Sequence, residues 1–214
     1  MTPTEIETAA RNKYNAVGDT FFSSDEVLNL MTEASMQLAL EALVIEDTDT
    51  QNTVIGTQAY TFPTRAYTIK RVTWDGNKLM PMTFREDDIL TLNNSTSSET
   101  GVPQFYYIWE NQVFLRPIPA SVAVLKVYSY LEPAAITALS TLEVPTRYHR
   151  DLVNFIVSEM AAKDNNMGKA QYYQSLWLAA MSRAKRETRK RLRGDAPAHV
   201  QVEEVLINTL LGTT

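Results

Sequence analysis

The stretch from residue 53 to residue 131 most constrains the fold, because strand-forming residues alternate there with tight-turn signals. Asp75-Gly76 accepts the positive φ angles of a two-residue hairpin turn. Glu110-Asn111-Gln112 is a second hairpin signal, and residues 122–130 form a last segment rich in Val and Tyr. We therefore expect an antiparallel β domain in this stretch.

Patterns typical of helices lie on both sides of this stretch. Thr2 with Glu5, and Ser23 with Glu26, have the spacing of capping boxes, and apolar residues follow each at helical spacing. Beyond the strands, helices are predicted from Pro145 to about residue 165 and from about residue 168 to Gly194. Within the strand stretch, a short helix is predicted after Thr83. Residues 47–52 are polar and are expected to end the second helix.

The predicted fold is α+β and mainly helical: a four-helix bundle with an inserted small antiparallel β domain and an extended C-terminal tail. Residues 1–52 and 133–194 supply the two halves of the bundle. Residues 53–132 supply the inserted β domain, and residues 195–214 supply a C-terminal docking tail.

Composition excludes several classes of site. The 214 residues are 44% apolar, which is enough for a core, yet the sequence contains no apolar run of the roughly 20 residues that span a bilayer. The N-terminus has no signal-peptide pattern, so we expect a cytoplasmic protein. With no cysteine and two histidines, the chain is expected to hold no cofactor and no thiolate or imidazole metal site.

Charge is distributed unevenly along the chain. The net charge is −5, but residues 183–193 carry seven basic residues and one acid, which leaves −11 for the remainder. These basic residues, called the basic run below, are Arg183, Lys185, Arg186, Arg189, Lys190, Arg191 and Arg193. Cations near a helix C-terminus stabilise its dipole, but Arg186 and Lys190 are one turn apart and repel. An acidic partner, either DNA phosphate or an acidic protein surface, is the alternative explanation.

Two other segments are predicted to contact partners. The tail is too short to form a core and too apolar to stay solvated, so it should dock on its own helices or on a neighbour. Its apolar residues are Val202, Val205, Leu206, Ile207, Leu210 and Leu211. A polar loop near residues 93–101 is long enough to reach a partner. Its leading residues are Asn93, Asn94, Ser95, Thr96 and Ser97.

Candidate catalytic residues are few. Glu86, Asp87 and Asp88 form the one tight acidic cluster, which could bind a divalent cation or act in acid/base chemistry. Their position in the first turn of a predicted helix favours dipole compensation instead. His149 has no nucleophile near it in sequence, so a structural role is expected, and no catalytic residue is assigned.

Several motifs follow one another in the strand stretch: Gly56 with Tyr60-Thr61-Phe62-Pro63, residues 69–79, Gly101-Val102-Pro103-Gln104-Phe105-Tyr106, residues 113–119 and residues 125–130. In their order and spacing they resemble the head-to-tail adaptor proteins of tailed bacteriophages, the connector proteins bound beneath the portal ring. The resemblance covers about residues 22–193, and Pro145-Thr146-Arg147-Tyr148 fits the opening of a helix in these proteins.

This resemblance implies a virion protein, assembled in the host cytoplasm, that needs no enzymatic activity. It implies a homo-oligomeric ring, usually of twelve copies, between a portal protein ring and a tail or nozzle protein, with double-stranded DNA passing through the lumen and no membrane involved. The basic run and the apolar tail would then contact the portal or an adjacent copy. The polar loop would face the next component of the phage tail.

The sequence leaves two other functions open. A nucleic-acid-binding module that uses the helix at residues 183–193 predicts binding to duplex DNA that weakens steeply with salt. A carboxylate-dependent hydrolase that uses the acidic cluster predicts loss of turnover on Asp88→Ala.

Overall fold

The computed structural model describes residues 1–94 and 99–193, and the chain divides into two units. One unit joins Met1–Ile45 to the chain from Pro133 onward, and the other is Glu46–Glu132. The described α-helices are α1 (Pro3–Tyr14), α2 (Ser24–Ala42), α3 (Phe84–Asn94), α4 (His149–Lys163) and α5 (Met167–Arg193).

Local capping explains where the first two helices begin and end. The Thr2 hydroxyl accepts from the Glu5 amide, the Glu5 carboxylate accepts from the Thr2 amide, and Pro3 occupies the first turn, as predicted. Ser23 caps α2 by accepting from the Glu26 amide. Left-handed residues follow both helices, Asn15 at φ 71° and Leu43 at φ 50°, so α1 ends before Gly18, its predicted stop.

The core of the helical unit is built around α4. This helix packs against α1, α2 and α5, and a one-turn 3₁₀ segment, Thr146–Tyr148, leads into it. Its apolar residues recur at a spacing of four, and Leu152, Ile156 and Met160 are fully buried. Because three helices surround α4, the buried face extends beyond a single stripe.

The strands of the second unit are short. They are β1 (Glu46–Asn52), β2 (Ala59–Thr61), β3 (Ala66–Trp74), β4 (Asn77–Lys78), β5 (Met80–Pro81), β6 (Thr100–Gly101), β7 (Phe105–Trp109), β8 (Gln112–Arg116), β9 (Ile118–Pro119) and β10 (Val124–Leu131). The first sheet has the order β1-β10-β3-β4, and the second has the order β2-β8-β7-β5. A third sheet pairs β6 with β9. The two larger sheets contribute side chains to one core, which includes Val72, Trp74, Leu125 and Leu115.

Both predicted hairpin turns are present. Asp75 and Gly76 adopt φ angles of 49° and 78° between β3 and β4. Glu110, at φ 52°, lies in the turn that joins β7 to β8, where Trp109 pairs with Gln112. Positive φ at these positions fits the twist of two-residue hairpin loops.

The predicted four-helix bundle with a small inserted antiparallel β domain is wrong. The described residues contain five α-helices and three sheets, and two strand pairs, β5 with β7 and β6 with β9, are parallel. Two-residue strands carry no periodicity, so they cannot be recognised before their partners are known. The first strand, Glu46–Asn52, also contains the polar residues 47–52, which we expected only to end the second helix.

Candidate interaction surfaces

Two members of the basic run are held by carboxylates of other helices. Arg183 Nη2 lies 2.6 Å from Asp151 Oδ2 of α4. Lys185 Nζ lies 2.5 Å from Glu41 Oε2 of α2. Both cations therefore tie α5 to its neighbours, and less of their charge is available to an external partner.

The other described members of the run are exposed. Arg191 donates to the Thr188 hydroxyl at 3.2 Å, and Arg186 donates to the Ser182 carbonyl at 3.3 Å. Arg189 and Lys190 are exposed. The run thus lies together on the last turns of α5, but its cations are not equally available to an external partner. The side chain of Arg193 lies outside the described residues.

The single acid of the run, Glu187, faces inward to a tyrosine. Its Oε2 atom accepts from the Tyr148 hydroxyl at 2.8 Å and lies 3.6 Å from Arg147 Nε. Burial, together with this hydrogen bond, raises the pKa of Tyr148. The acid therefore belongs to the packing of α5 on the start of α4.

Most of the predicted tail and loop contacts fall outside the described residues. Asn93 and Asn94 end α3, but their side chains are not among those described, and Ser95, Thr96 and Ser97 lie outside the described residues. The same holds for the tail residues Val202, Val205, Leu206, Ile207, Leu210 and Leu211.

The acidic cluster has three separate environments. The Glu86 carboxylate accepts from the backbone and hydroxyl of Thr83, which lowers the pKa of Glu86 and completes the predicted capping box. Asp87 is 5% exposed and pairs with Arg116 through two contacts of 2.6 and 2.9 Å. Asp88 is exposed. In residues 1–94 and 99–193, no group of three His, Asp or Glu side chains is placed to hold a metal ion.

The Asp87–Arg116 pair adjoins a stack of aromatic rings. Burial and the neighbouring Asp87 carboxylate raise the pKa of Tyr107 to about 12. Tyr107 stacks on Phe114, with ring centroids 4.8 Å apart, and Phe84 stacks on Trp109 at 5.1 Å. An open apolar groove of about 350 Å³ lies beside them, lined by Met80, Pro81, Met82, Glu86, Ile89 and Phe105.

His149 is a structural residue. It is 4% exposed, its Nε2 atom lies 2.8 Å from the Val144 carbonyl, and its Nδ1 atom lies 3.0 Å from the Met1 amino group. An ammonium group only donates, so Nδ1 accepts and Nε2 carries the proton that goes to Val144. The ring joins the start of α4 to the chain preceding α1.

A cationic surface that sequence reasoning missed lies on the first sheet, and we call it the outer sheet face. Arg71 and Lys126 are exposed on β3 and β10, and Lys78 is exposed on β4. The Arg71 guanidinium lies 4.3 Å above the ring of Tyr128. Alternation was the available signal, since Lys126 and Tyr128 alternate with buried Leu125 and Val127.

The comparisons agree with the motif resemblance. The family model described as SU10 adaptor protein matches residues 1–201, which is most of the chain. No curated protein matches the chain significantly. Within the described part of the chain, no helix combines the length and apolarity needed to cross a membrane. The predicted resemblance is confirmed, and the chain belongs to the SU10 adaptor family, a family of phage head-tail adaptors.

Proposed function

We propose that this chain is a non-enzymatic structural adaptor that joins the portal vertex of a phage to its tail. Twelve copies form a ring in the virion, after assembly in the host cytoplasm, and double-stranded DNA passes through the lumen. The observation that carries the proposal is the family match over residues 1–201.

A ring needs heterologous contacts, in which one patch of each copy meets a different patch of the next. Surfaces of different chemistry support such contacts. The outer sheet face is cationic, whereas the groove beside Met80 and Phe105 is mainly apolar. Obligate subunit contacts bury apolar area, so the groove is suited to a stable partner.

The basic run and the tail are assigned to the portal ring or to an adjacent copy. Exposed Arg186, Arg189 and Lys190 lie near the end of α5, directly before the tail in sequence, so a cationic and an apolar element are adjacent. Asn93, Asn94, Ser95, Thr96 and Ser97 are assigned to the tail or nozzle protein. A structural role is also supported by the separate environments of Glu86 and Asp87, which serve as a cap and as an ion-pair partner.

Native mass spectrometry tests the proposal. The chain is measured alone and after mixing with the portal ring of the same phage, and the expected result is a portal that gains a fixed whole number of copies. Deletion of residues 196–214 should abolish this gain while the circular dichroism of the helical unit is retained. A full-length chain that adds no copies to the portal would overturn the proposed function, and undiminished attachment of the truncated chain would overturn the role of the tail.

A further inference from the structure

The first sheet has one face toward the core and one open face. Val72, Trp74, Leu125 and Val127 point into the core. Strand alternation places their neighbours along each strand on the outer sheet face, and the cross-strand register places the partners of those neighbours on the same face. These residues are Thr48, Thr50, Asn52, Arg71, Thr73, Lys78, Val124, Lys126 and Tyr128.

The charged side chains in that set are basic, while Glu46, which is paired with Tyr130 at the start of β1, continues the same alternation at one end of the face. Lys126 pairs across the strands with Thr73, and Thr73 pairs with Lys78, so the two lysines lie in one row, with Arg71 two residues along β3. Adjacent strands are about 4.8 Å apart, so the two lysine positions are roughly 10 Å apart. Cations at this spacing can contact separate phosphates.

None of the three cations forms an ion pair in the described part of the chain. They line a shallow concavity of about 440 Å³, in which Asp75 is the one carboxylate. The nearby acids Glu46 and Asp47 line a different concavity, together with Lys70. The outer sheet face is therefore locally positive on a chain whose net charge is −5.

We propose that the outer sheet face binds the phosphate backbone of double-stranded DNA without reading its sequence. Arg and Lys, with Thr, Asn and Tyr, are the side chains that contact phosphates, and seven of the eight accessible residues of this face are of these types, while Thr73 is buried between the two lysines. An acidic protein surface fits less well, because protein interfaces centre on buried aromatic or apolar anchors, and this face offers only Val124 and Tyr128, whose ring the Arg71 guanidinium already covers.

Duplex DNA fits better than a single strand. Single strands are held by bases that stack on free aromatic rings. Tyr128 is the one aromatic residue of this face, and the Arg71 guanidinium already covers its ring. The proposal does not depend on ring formation or on portal attachment.

The test compares two triple substitutions of the full chain that change the net charge equally. Arg71→Gln/Lys78→Gln/Lys126→Gln removes the cations of the outer sheet face. Arg186→Gln/Arg189→Gln/Lys190→Gln removes the accessible cations of α5. Binding to a fluorescent duplex of random sequence is followed by anisotropy over a range of salt concentrations, with protein titrated to about 10⁻⁴ M.

The expected result is that the sheet variant loses most of its affinity, whereas the α5 variant stays close to the unmodified chain. Three lost phosphate contacts should also make the slope of log K against log salt less steep by about 2.7. Amide chemical shifts of the unmodified chain provide a readout without substitution, and duplex should shift the resonances of β3, β4 and β10.

Three outcomes would overturn the proposal. The unmodified chain fails to bind duplex even at low salt, or the α5 variant loses as much affinity as the sheet variant. In the third outcome, the sheet variant binds DNA normally but no longer joins the portal or a second copy, which assigns the face to an acidic protein surface. Normal portal attachment without DNA binding would leave the proposed adaptor function intact.

Discussion

The chain has two cationic regions that were assembled in different ways. The basic run places seven cations within eleven consecutive residues, whereas the outer sheet face draws its three from positions 71, 78 and 126. The run is obvious in the sequence, yet Arg183 and Lys185 are held by carboxylates of α4 and α2. The sheet cations are scattered in the sequence, yet none of them is held by an ion pair in the described residues.

The difference shows that charge density along the chain does not measure charge available to a partner. A helix that packs lengthwise brings its cations within reach of acids on neighbouring helices, and Asp151 and Glu41 are so placed. A sheet face that is open to solvent has neighbours only within its own strands. The neutral residues Thr48, Thr50 and Thr73 occupy those positions here.

The largest expected effect comes from removing the support of the sheet. Leu125 is fully buried next to Lys126, and Leu125→Ala should lower the free energy of unfolding by about 2–5 kcal/mol. Duplex affinity should fall with it, because the cations lose their common scaffold. Denaturant unfolding measures the change. Val124→Ala, on the partly exposed neighbouring position, is the control and should stay within about 0.5 kcal/mol.

A second change would make the basic run resemble the outer sheet face. Asp151→Asn with Glu41→Gln releases Arg183 and Lys185, yet duplex affinity should rise no more than in the control, because the other exposed cations of α5 are expected to add little to duplex binding. Each lost surface pair should cost about 0.2–1 kcal/mol of stability. The control, Glu99→Gln with Glu110→Gln, changes the net charge equally at exposed positions. A rise in affinity larger than that of the control would show that α5 contacts the duplex as well.

A smaller effect concerns the packing of α5 and its pH dependence. Burial and the Glu187 carboxylate raise the pKa of Tyr148. The contribution of this residue to the free energy of unfolding is therefore fully present below about pH 10 and is lost as pH rises through the folded-state pKa. Tyr148→Phe should cost about 0.5–1.5 kcal/mol at neutral pH and flatten the alkaline decline of stability. Thermal unfolding from pH 7 to pH 11 measures this. Tyr67→Phe, at an exposed position, is the matched control.

The smallest effect tests the contact that orients Arg71. Tyr128→Leu removes the ring beneath the guanidinium and should cost about 0.5 kcal/mol, whereas Tyr128→Phe keeps the ring and should cost less. Thermal unfolding and duplex affinity are measured together. If the Leu and Phe variants have the same stability and the same duplex affinity, the ring does not hold the guanidinium. The face would then offer a free aromatic ring.

Part of the interaction surface could be predicted from sequence and part could not. The sequence predicts the basic run residue by residue, because its members lie close together on one helix. The outer sheet face was missed, although β10 alternates buried Leu125 and Val127 with Lys126 and Tyr128. Alternation shows that Lys126 is on the open face, but only the pairing of β10 with β3, and of β3 with β4, places it near Lys78.

The sequence by itself determined the local structure. Capping boxes at Thr2 and Thr83 and the hairpin turn at Asp75-Gly76 were predicted and are present, because each depends on groups within four residues of one another. The tertiary structure alone decided which strands pair, that the polar segment Glu46–Asn52 joins β10, and which cations of α5 meet carboxylates. These outcomes depend on groups far apart in the chain, whose meeting is determined by burial of the whole core rather than by any local pattern.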